Sequence, residues 1–534
     1  MRPPDPVATV PDRDIWQPLR RRAFFWLWTA AIVSNVGTWM HDTAAAWTMA
    51  TLAPSPLMVS LMQTAMTFPF FVLALPAGAL ADIVDRRRML IVTQAWMLAA
   101  ATALGALALA GSMTPPPLLA LTFAIGIGSA MTAPAWQATT PDLVPRPELP
   151  AAVALGGISV NVARAIGPAL GGLLVGAAGA GPVFLLNAAS FLGVLVVLAN
   201  WRRERKPTQL PPERVIGAMR AGVRYVRHAT GYHAVLVRDA AFVLAASAVW
   251  ALLPLVARTE LHLDASGYGL VLGGLGLGAI GGALMLPRLR RWVSLEILLA
   301  AATVLFAVAS GGLALVHGLR PALALTFAGG TAWMTMMSTL TVAAQESVPA
   351  WVRARALAVG LLVIQGSMAT GALVWGVVAT HTGLDTALLA AAGALVASLV
   401  VAPRFRLDAH DGLDLGPSDH MGQLVVQGDV DFDEGPVLVT VEYRVDPARA
   451  EAFVGAMEDL ERTRRRDGAI RWGLFQDTAD AWRWLETFLV ESWVEHLRQH
   501  ERVTMSDRLV RDRVYALIEG GEPRVSHLVA RRED

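Results

Sequence analysis

The chain has 534 residues, of which 54% are hydrophobic and 16% charged, and a formal net charge of +1. So apolar a composition excludes an ordinary soluble protein and points to a membrane class. The absence of cysteine excludes disulfides and thiolate metal sites.

The N-terminus reads MRPPDPVATVPDRDIWQPLRRRAFFWLW. Its apolar stretch runs past the short core of a signal peptide and has no small-residue cleavage site, so it is expected to stay as a first transmembrane helix. A helix needs about 20 apolar residues to cross the hydrocarbon core. Twelve segments meet that length, centred near residues 35, 68, 100, 128, 165, 191, 247, 277, 305, 332, 367 and 393. Basic residues cluster in alternate loops, at Arg20–Arg22, Arg86–Arg88, Arg146, Arg202–Lys206, Arg288–Arg291, Arg353 and Arg355. The intervening loops hold little beyond Arg258 and Arg320. Because Lys and Arg stay on the cytoplasmic side, both termini are predicted to be cytoplasmic.

An ionisable group within a span is costly and marks a functional candidate. Asp42, just after His41, lies toward the outer end of the first span. It is either a counter-charge or proton carrier in a central cavity or a hydrated residue at the rim. Arg164 lies deep in the fifth span and is either a substrate or conformational partner or a structural interhelical pair. Asn161, Gln63, Gln365, Trp333 and the run WMTMMS are further polar or polarisable candidates for a transport path, or simply packing residues.

GALADIVDRRR, from Gly78 to Arg88, forms a tight charged turn after the second span, and GALMLPRLRRW repeats it from Gly282. That offset of 204 residues pairs Arg86 and Arg87 with Arg290 and Arg291, Val144-Pro145 with Val348-Pro349, and Gly167 with Gly371. Three matches at one spacing predict a duplicated six-helix unit, an architecture that transports substrate between its halves. The basic stretch Trp201–His228 reads as a linker with an amphipathic helix. GGLGLGAIGG (Gly273–Gly282) lies inside an apolar span without a preceding strand and is expected to be a packing helix, not a nucleotide loop. No ATP-binding loop motif is present.

After Pro403 an acidic, glycine-rich linker leads to an ordered tail. PVLVTVEYRV alternates like a half-buried strand, PARAEAFVGAMEDLERTRRR has one apolar helical face, and the remaining segments complete a βαββαβ order. That order implies a ferredoxin-like sandwich. His496 and His500 stand four apart on one predicted helix, but no third ligand is apparent, so they are expected to be surface or dimer-contact residues. No catalytic or metal residues and no cofactor are assigned.

Twelve spans in two halves, with Gly78, Leu80, Asp82, Arg86, Arg87 and Leu90 in the turn, resemble the major facilitator superfamily. Ile83 and Asp85 depart from its motif. SNVGTWMHDTAAAW, APAWQATTPDLVP and NVARAIGPALGG resemble a bacterial branch that includes the enterobactin exporter and transmembrane secretion effectors. The resemblance implies that Gly78 allows a close helix approach. It also implies that Asp82 faces the N-terminus of the eleventh span as a gate, with Arg86 and Arg87 as alternative partners. GPALGG resembles the fifth-helix motif of proton-coupled drug exporters, in which Gly167, Pro168, Gly171 and Gly172 permit bending and close contact. Two earlier glycines of that motif are Ala154 and Ala163 here. The tail resembles dimeric α+β barrel modules related to antibiotic-biosynthesis monooxygenases.

The expected class is therefore an all-α membrane protein of twelve transmembrane helices in two six-helix halves, with a small C-terminal α+β ferredoxin-like domain. Its expected parts are a cytoplasmic N-terminus (1–22), an N-terminal half (23–201), a linker (202–233), a C-terminal half (234–403), an acidic linker (404–435) and a cytoplasmic domain (436–534). The expected function is secondary active export of a small amphipathic or siderophore-like molecule by alternating access, coupled to protons, in the bacterial inner membrane. The tail could form a homodimer, and no nucleic-acid partner is expected. The alternatives are a membrane-tethered oxygenase and a non-transporting sensor.

Overall fold

The computed structural model describes residues 15–201, 215–349, 351–407, 418 and 434–530. Residues 202–214 of the first predicted linker, and 408–417 and 419–433 of the second, lie outside the described residues. The chain divides into two compact units, each assembled from separated stretches. The first comprises residues 1–211, 238–339 and 361–404, and the second residues 212–237, 340–360 and 405–534.

Among the described residues thirteen α-helices precede the tail: α1 (Arg22–Leu52), α2 (Pro56–Ile83), α3 (Arg86–Leu109), α4 (Pro115–Leu143), α5 (Leu149–Ala178), α6 (Ala180–Asn200), α7 (Val215–His228), α8 (Thr230–Thr259), α9 (Ala265–Leu289), α10 (Leu295–Leu313), α11 (Leu319–Glu346), α12 (Arg353–Thr382) and α13 (Leu384–Val401). Among the described residues, ten are long and apolar enough to cross a membrane. α1 and α11, with 31 and 28 residues, have the length but not the apolarity. α1 carries Asn35, His41 and Asp42, and α11 carries Arg320, five threonines and Gln345.

In the first unit α1 packs on α5 and α6, α2 on α4, α3 on α4 and α6, and α10 on α13. α1 and α5 run side by side in the same direction, joined by a ladder of polar contacts. Arg21 donates twice to Glu148, each bond 2.8 Å. Trp28 Nε1 donates to the Leu155 carbonyl at 2.9 Å, and Asn35 to Ser159 Oγ at 3.1 Å. Further along, small residues replace polar pairs. A Cβ at Gly167 would stand 2.5 Å from Trp39 Cβ, and one at Gly171 would stand 2.8 Å from Met40 Cα.

The 204-residue offset reappears in this packing. Gly167 of α5 lies against α1 near Trp39, and Gly371 of α12 lies against α8 at Leu244 and Ser247. Gly172 of α5 faces Ala265 and Gly269 of α9, while Gly376 of α12 faces Pro56 and Ser60 of α2. Each pair of glycines is 204 residues apart, and one partner of each follows within a residue of that offset: Trp39 and Leu244 for the first pair, Ser60 and Ala265 for the second. The glycine-rich face of α9 is accordingly a packing surface: Gly276 meets Ala165 and Gly269 meets the Pro168 carbonyl.

In the second unit a four-stranded antiparallel sheet has the order β2-β3-β1-β4, from β1 (Val437–Arg444), β2 (Arg471–Gln476), β3 (Arg483–Val490) and β4 (Arg524–Val529). Alternate residues Val437, Val439, Val441 and Tyr443 of β1 are buried with Phe453, Met457 and Leu460 of α14 (Ala450–Asp467). Period-two burial on the strand thus meets one apolar helical face. Two shorter helices, α15 (Trp493–Arg502) and α16 (Met505–Tyr515), fill the connection between β3 and β4. Thr504 and Asp507 form a reciprocal capping box at the start of α16.

Candidate functional site

The first unit encloses a cavity of about 390 Å³, within the range of small-molecule sites. It is lined from α1, α2, α4 and α5 and, 204 residues on, from their counterparts α8, α9, α11 and α12. Asp42 and Arg164 both face it. The Arg164 guanidinium lies 5.7 Å from the ring centroid of Trp39, which also lines the cavity. Arg164 Nε is buried without a hydrogen-bond partner. Gln63, Gln365 and Trp333 join the lining. Asn161 does not belong to it; its amide donates to the Gly157 carbonyl of its own helix at 3.0 Å. Most of the wall is apolar or aromatic, with Trp250, Tyr268 and Phe70 among the large rings. Such a chamber can surround an amphipathic molecule while two opposite charges address its polar groups.

His41, beside Asp42, points elsewhere. It is fully buried with its ring 4.8 Å from that of Phe184, outside the cavity lining.

The charged turn after α2 is anchored within its own half. Arg86 donates to the Ala138 carbonyl of α4 at 2.8 Å and lies 3.6 Å from Asp142. Arg87 reaches the Leu198 and Ala199 carbonyls at the end of α6, both at 2.8 Å, where a cation complements the helix dipole. Asp85 caps α3 by accepting from the Arg88 amide. Arg290, the repeat counterpart of Arg86, likewise reaches Thr339 of α11 at 3.3 Å. The side chain of Asp82 lies outside the described residues. The expected close approach at Gly78 is corrected: a Cβ there, five residues before the end of α2, would meet nothing within 4 Å. Glycine-dependent contact is found instead on α5, at Gly167, Gly171 and Gly172.

In the second unit α7 and the α11–α12 connection pack on the tail. Arg224 of α7 donates to Glu495 of α15 at 2.9 Å, and Arg502 donates to the same oxygen at 2.6 Å. The Arg502 guanidinium lies 4.6 Å from the Trp351 ring, and that of Arg466 5.9 Å from Tyr225. Tyr225 in turn donates to the Ser347 carbonyl at 3.2 Å. Burial opposes ionisation of Glu495, but the hydrogen bond and charge of Arg502 and the charge of Arg224 outweigh it and hold the carboxyl below its ordinary pKa. The tail thus grips two interhelical connections, a contact that the sequence reading missed.

The histidines of the tail also differ from expectation. His496 is 2% exposed, not a surface residue, and His527 of β4 stands beside it with ring centroids 4.8 Å apart. The third imidazole missing from the sequence reading therefore comes from the last strand.

These features define a multi-pass membrane protein with a chamber lined from eight of its helices. The chain belongs to the transmembrane secretion effector family, whose model it matches over residues 14–534, within the major facilitator superfamily. The family and the relatives found are transporters, not enzymes, which sets aside the oxygenase alternative. Among them, "Uncharacterized MFS-type transporter YfiS" of Bacillus subtilis (strain 168) is 29% identical over 170 residues, 31% of this chain and 39% of that protein. The "Staphyloferrin A transporter" of Staphylococcus aureus (strain NCTC 8325 / PS 47) is 26% identical over 175 residues, 32% of this chain and 44% of that protein. The match thus spans less than half the length of either relative. A solved POT family transporter in complex with 5-aminolevulinic acid superposes with a TM-score of 0.59 at 14% identity. It covers 72% of this chain and 97% of its own, and shows the fold alone.

Proposed function

We propose that the chain is a secondary active transporter of the bacterial inner membrane that exports a small amphipathic or siderophore-like compound in exchange for protons. The observation that carries this reading is the chamber lined from α1, α2, α4, α5, α8, α9, α11 and α12, with Asp42 and Arg164 on one cavity and aromatic rings around them. In this reading twelve helices span the membrane, α1 and α11 among them, and both termini are cytoplasmic. Asp42 of α1 faces the chamber and Thr326, Thr335 and Thr339 of α11 are buried, whereas Arg320 and Gln345 lie exposed near the two ends of α11.

In this mechanism Asp42 carries the proton and Arg164 binds an anionic or polar part of the substrate. The two six-helix halves rock about the midplane chamber. Gly167, Pro168, Gly171 and Gly172 let α5 bend and slide on α1 and α9. Asp82, Arg86 and Arg87 hold the turn after α2 as a latch in one of the two states, with Gly78 at its base. Asn161 serves packing within α5. Membership of the transmembrane secretion effector family speaks for secretion, and similarity to a staphyloferrin A transporter supports a siderophore-like cargo. The tail is a ferredoxin-like regulatory module, able to form a homodimer, that acts through its grip on α7 and the α11–α12 connection.

The test is transport in vesicles with an imposed proton gradient, using dyes, drugs and hydroxycarboxylate siderophores as probes. Wild type should accumulate a probe in inside-out vesicles when the interior is acid. Asp42→Asn should lose the response to the gradient while keeping its elution profile in detergent. Equal gradient-driven transport by wild type and Asp42→Asn would reject the proton-carrier role. No transport of any probe by folded wild type would reject the exporter reading for those compound classes.

A further inference from the structure

Three imidazoles of the tail converge from two elements. His496 and His500 lie one helical turn apart on α15, and β4 supplies His527. In the sheet, His527 stands opposite Val439, whose side chain is on the buried face. Because neighbours across a ladder share a face, His527 is turned toward the helices rather than toward the open side. The ring centroids of His496 lie 5.0 Å from those of His500 and 4.8 Å from those of His527. One ring nitrogen from each residue falls within 4.8 Å of the other two.

Within this group His496 is 2% exposed and its Nε2 has no hydrogen-bond partner. Its Nδ1 is 3.3 Å from Gln499 Oε1. That contact makes Nδ1 the donor and leaves the lone pair on Nε2, as an outer-shell acceptor does for a metal-binding histidine. A buried nitrogen without a partner is a cost that a ligand would remove.

We propose that His496, His500 and His527 form a binding site for a first-row divalent transition ion of the zinc class, with the fourth position left to water or an exogenous donor. Three nitrogens and no oxygen or thiolate favour Zn²⁺, Ni²⁺, Cu²⁺ or Fe²⁺ over Ca²⁺ and Mg²⁺. Bonds of about 2.0–2.1 Å in a tetrahedral site bring nitrogens to roughly 3.4 Å from one another. The group therefore has to close by little more than an ångström, and His500 and His527 are only half-buried, with room to turn. The nearby cation, Arg464, is matched by buried Glu486 at 3.1 Å, so it adds little net repulsion toward a dication. Burial and mutual proximity also keep the imidazoles neutral, with His496 pushed down to about 3 and His500 to about 4, and burial lowers His527 as well.

Zn²⁺ binding to the full chain in detergent tests the site. The protein is purified without a polyhistidine tag, stripped with chelator and equilibrated with Zn²⁺, and the bound metal is counted by elemental analysis. Wild type should bind one Zn²⁺ per chain at this site. His500→Gln and His527→Gln should each weaken that binding by more than the roughly 10–100-fold that loss of an outer-shell partner costs. His317→Gln, outside the tail, should bind as wild type does. His527→Cys, which supplies another zinc ligand, should restore binding and so separate a lost ligand from a lost fold. Absence of stoichiometric Zn²⁺ in wild type, or binding retained by both glutamine variants, overturns the proposal.

Discussion

One close helix approach that bears on transport is that of Gly172 of α5 against α9. A Cβ at Gly172 would lie 2.5 Å from the Ala265 carbonyl oxygen and 2.7 Å from Gly269 Cα. Ordinary van der Waals contact begins near 3.4 Å, so Gly172→Ala requires the two backbones to separate by about an ångström. No side chain can rotate away, because both obstacles are backbone. Overpacking of this kind costs about 1–3 kcal/mol. If the contact belongs to only one of two transport states, that energy shifts their ratio by about 5–150-fold. Gly269→Ala meets the Pro168 carbonyl at 2.6 Å and should act alike. The double variant should cost less than the sum, since one separation relieves both clashes. Gly376→Ala, the repeat counterpart of Gly172→Ala, lies in the α12–α2 contact rather than in the α5–α9 seam; Ser60 Oγ can rotate away from it, but Ser60 Cβ at 2.7 Å cannot. The chain has no cysteine, so Ala46→Cys on the cavity wall gives a single thiol for labelling by a membrane-impermeant maleimide. Labelling from the side where α5 meets α9 should accelerate in Gly172→Ala and Gly269→Ala, and less in Gly376→Ala. Unchanged labelling in the first two, in protein that still elutes as wild type, refutes the argument that this seam opens and closes.

Three further outcomes are expected. Arg224→Gln removes one donor from Glu495 but leaves Arg502, so it should weaken the attachment of α7 by about 1 kcal/mol and speed proteolysis of α7 in the full chain. Acid should loosen the tail through His496. Its folded pKa, about 3, lies below the 6.5 of an unperturbed histidine, so the unfolded chain takes up the proton first. Stability is then lost as pH falls below 6.5, by about 2 kcal/mol on reaching pH 5, and His496→Phe should flatten the pH dependence of tail proteolysis. Glu495 works in a lower window: its depressed carboxyl stabilises the folded unit above about pH 4.5, and that contribution disappears on further acidification. Glu495→Gln should therefore lose stability at pH 7 and show no further drop from this group below pH 4.5.

What the sequence made legible follows from which forces leave a periodic trace. Lipid-facing helices must be largely apolar, so the ten spans found among the described residues were legible from length and composition, and glycines recur in them at a fixed offset. α1 and α11 fall short on apolarity because polar chamber-facing and interhelical groups interrupt them, and Asp42 and Trp333 are among those groups. The composition that blurs a span is thus the same composition that marks the path. Arg86 and Arg87 were legible as a cluster, but not the carbonyls they reach, since helix ends distant in sequence carry no residue signature. Gly78 belongs to a motif yet meets open space, whereas Gly172, in a run of small residues, meets backbone.

His527 shows where the remaining information lay. In RVSHLV, Val525, His527 and Val529 share one face, and their partners across the ladder are Val441, Val439 and Val437, all buried. The ladder register with β1, together with strand alternation, therefore puts that histidine on the core side, although Val525 at the start of the strand is 48% exposed. What the alternation does not give is the position of α15 over β4, which depends on packing between elements far apart in sequence. Once that packing is known, a histidine among valines has a reason to be there, and the same α15 that holds His496 and His500 holds Glu495, the acceptor for Arg224 of α7. Ligation on one part of this ten-residue helix would restrict the helix as a whole, and so reach the grip on the interhelical linker without any contact with the transport chamber.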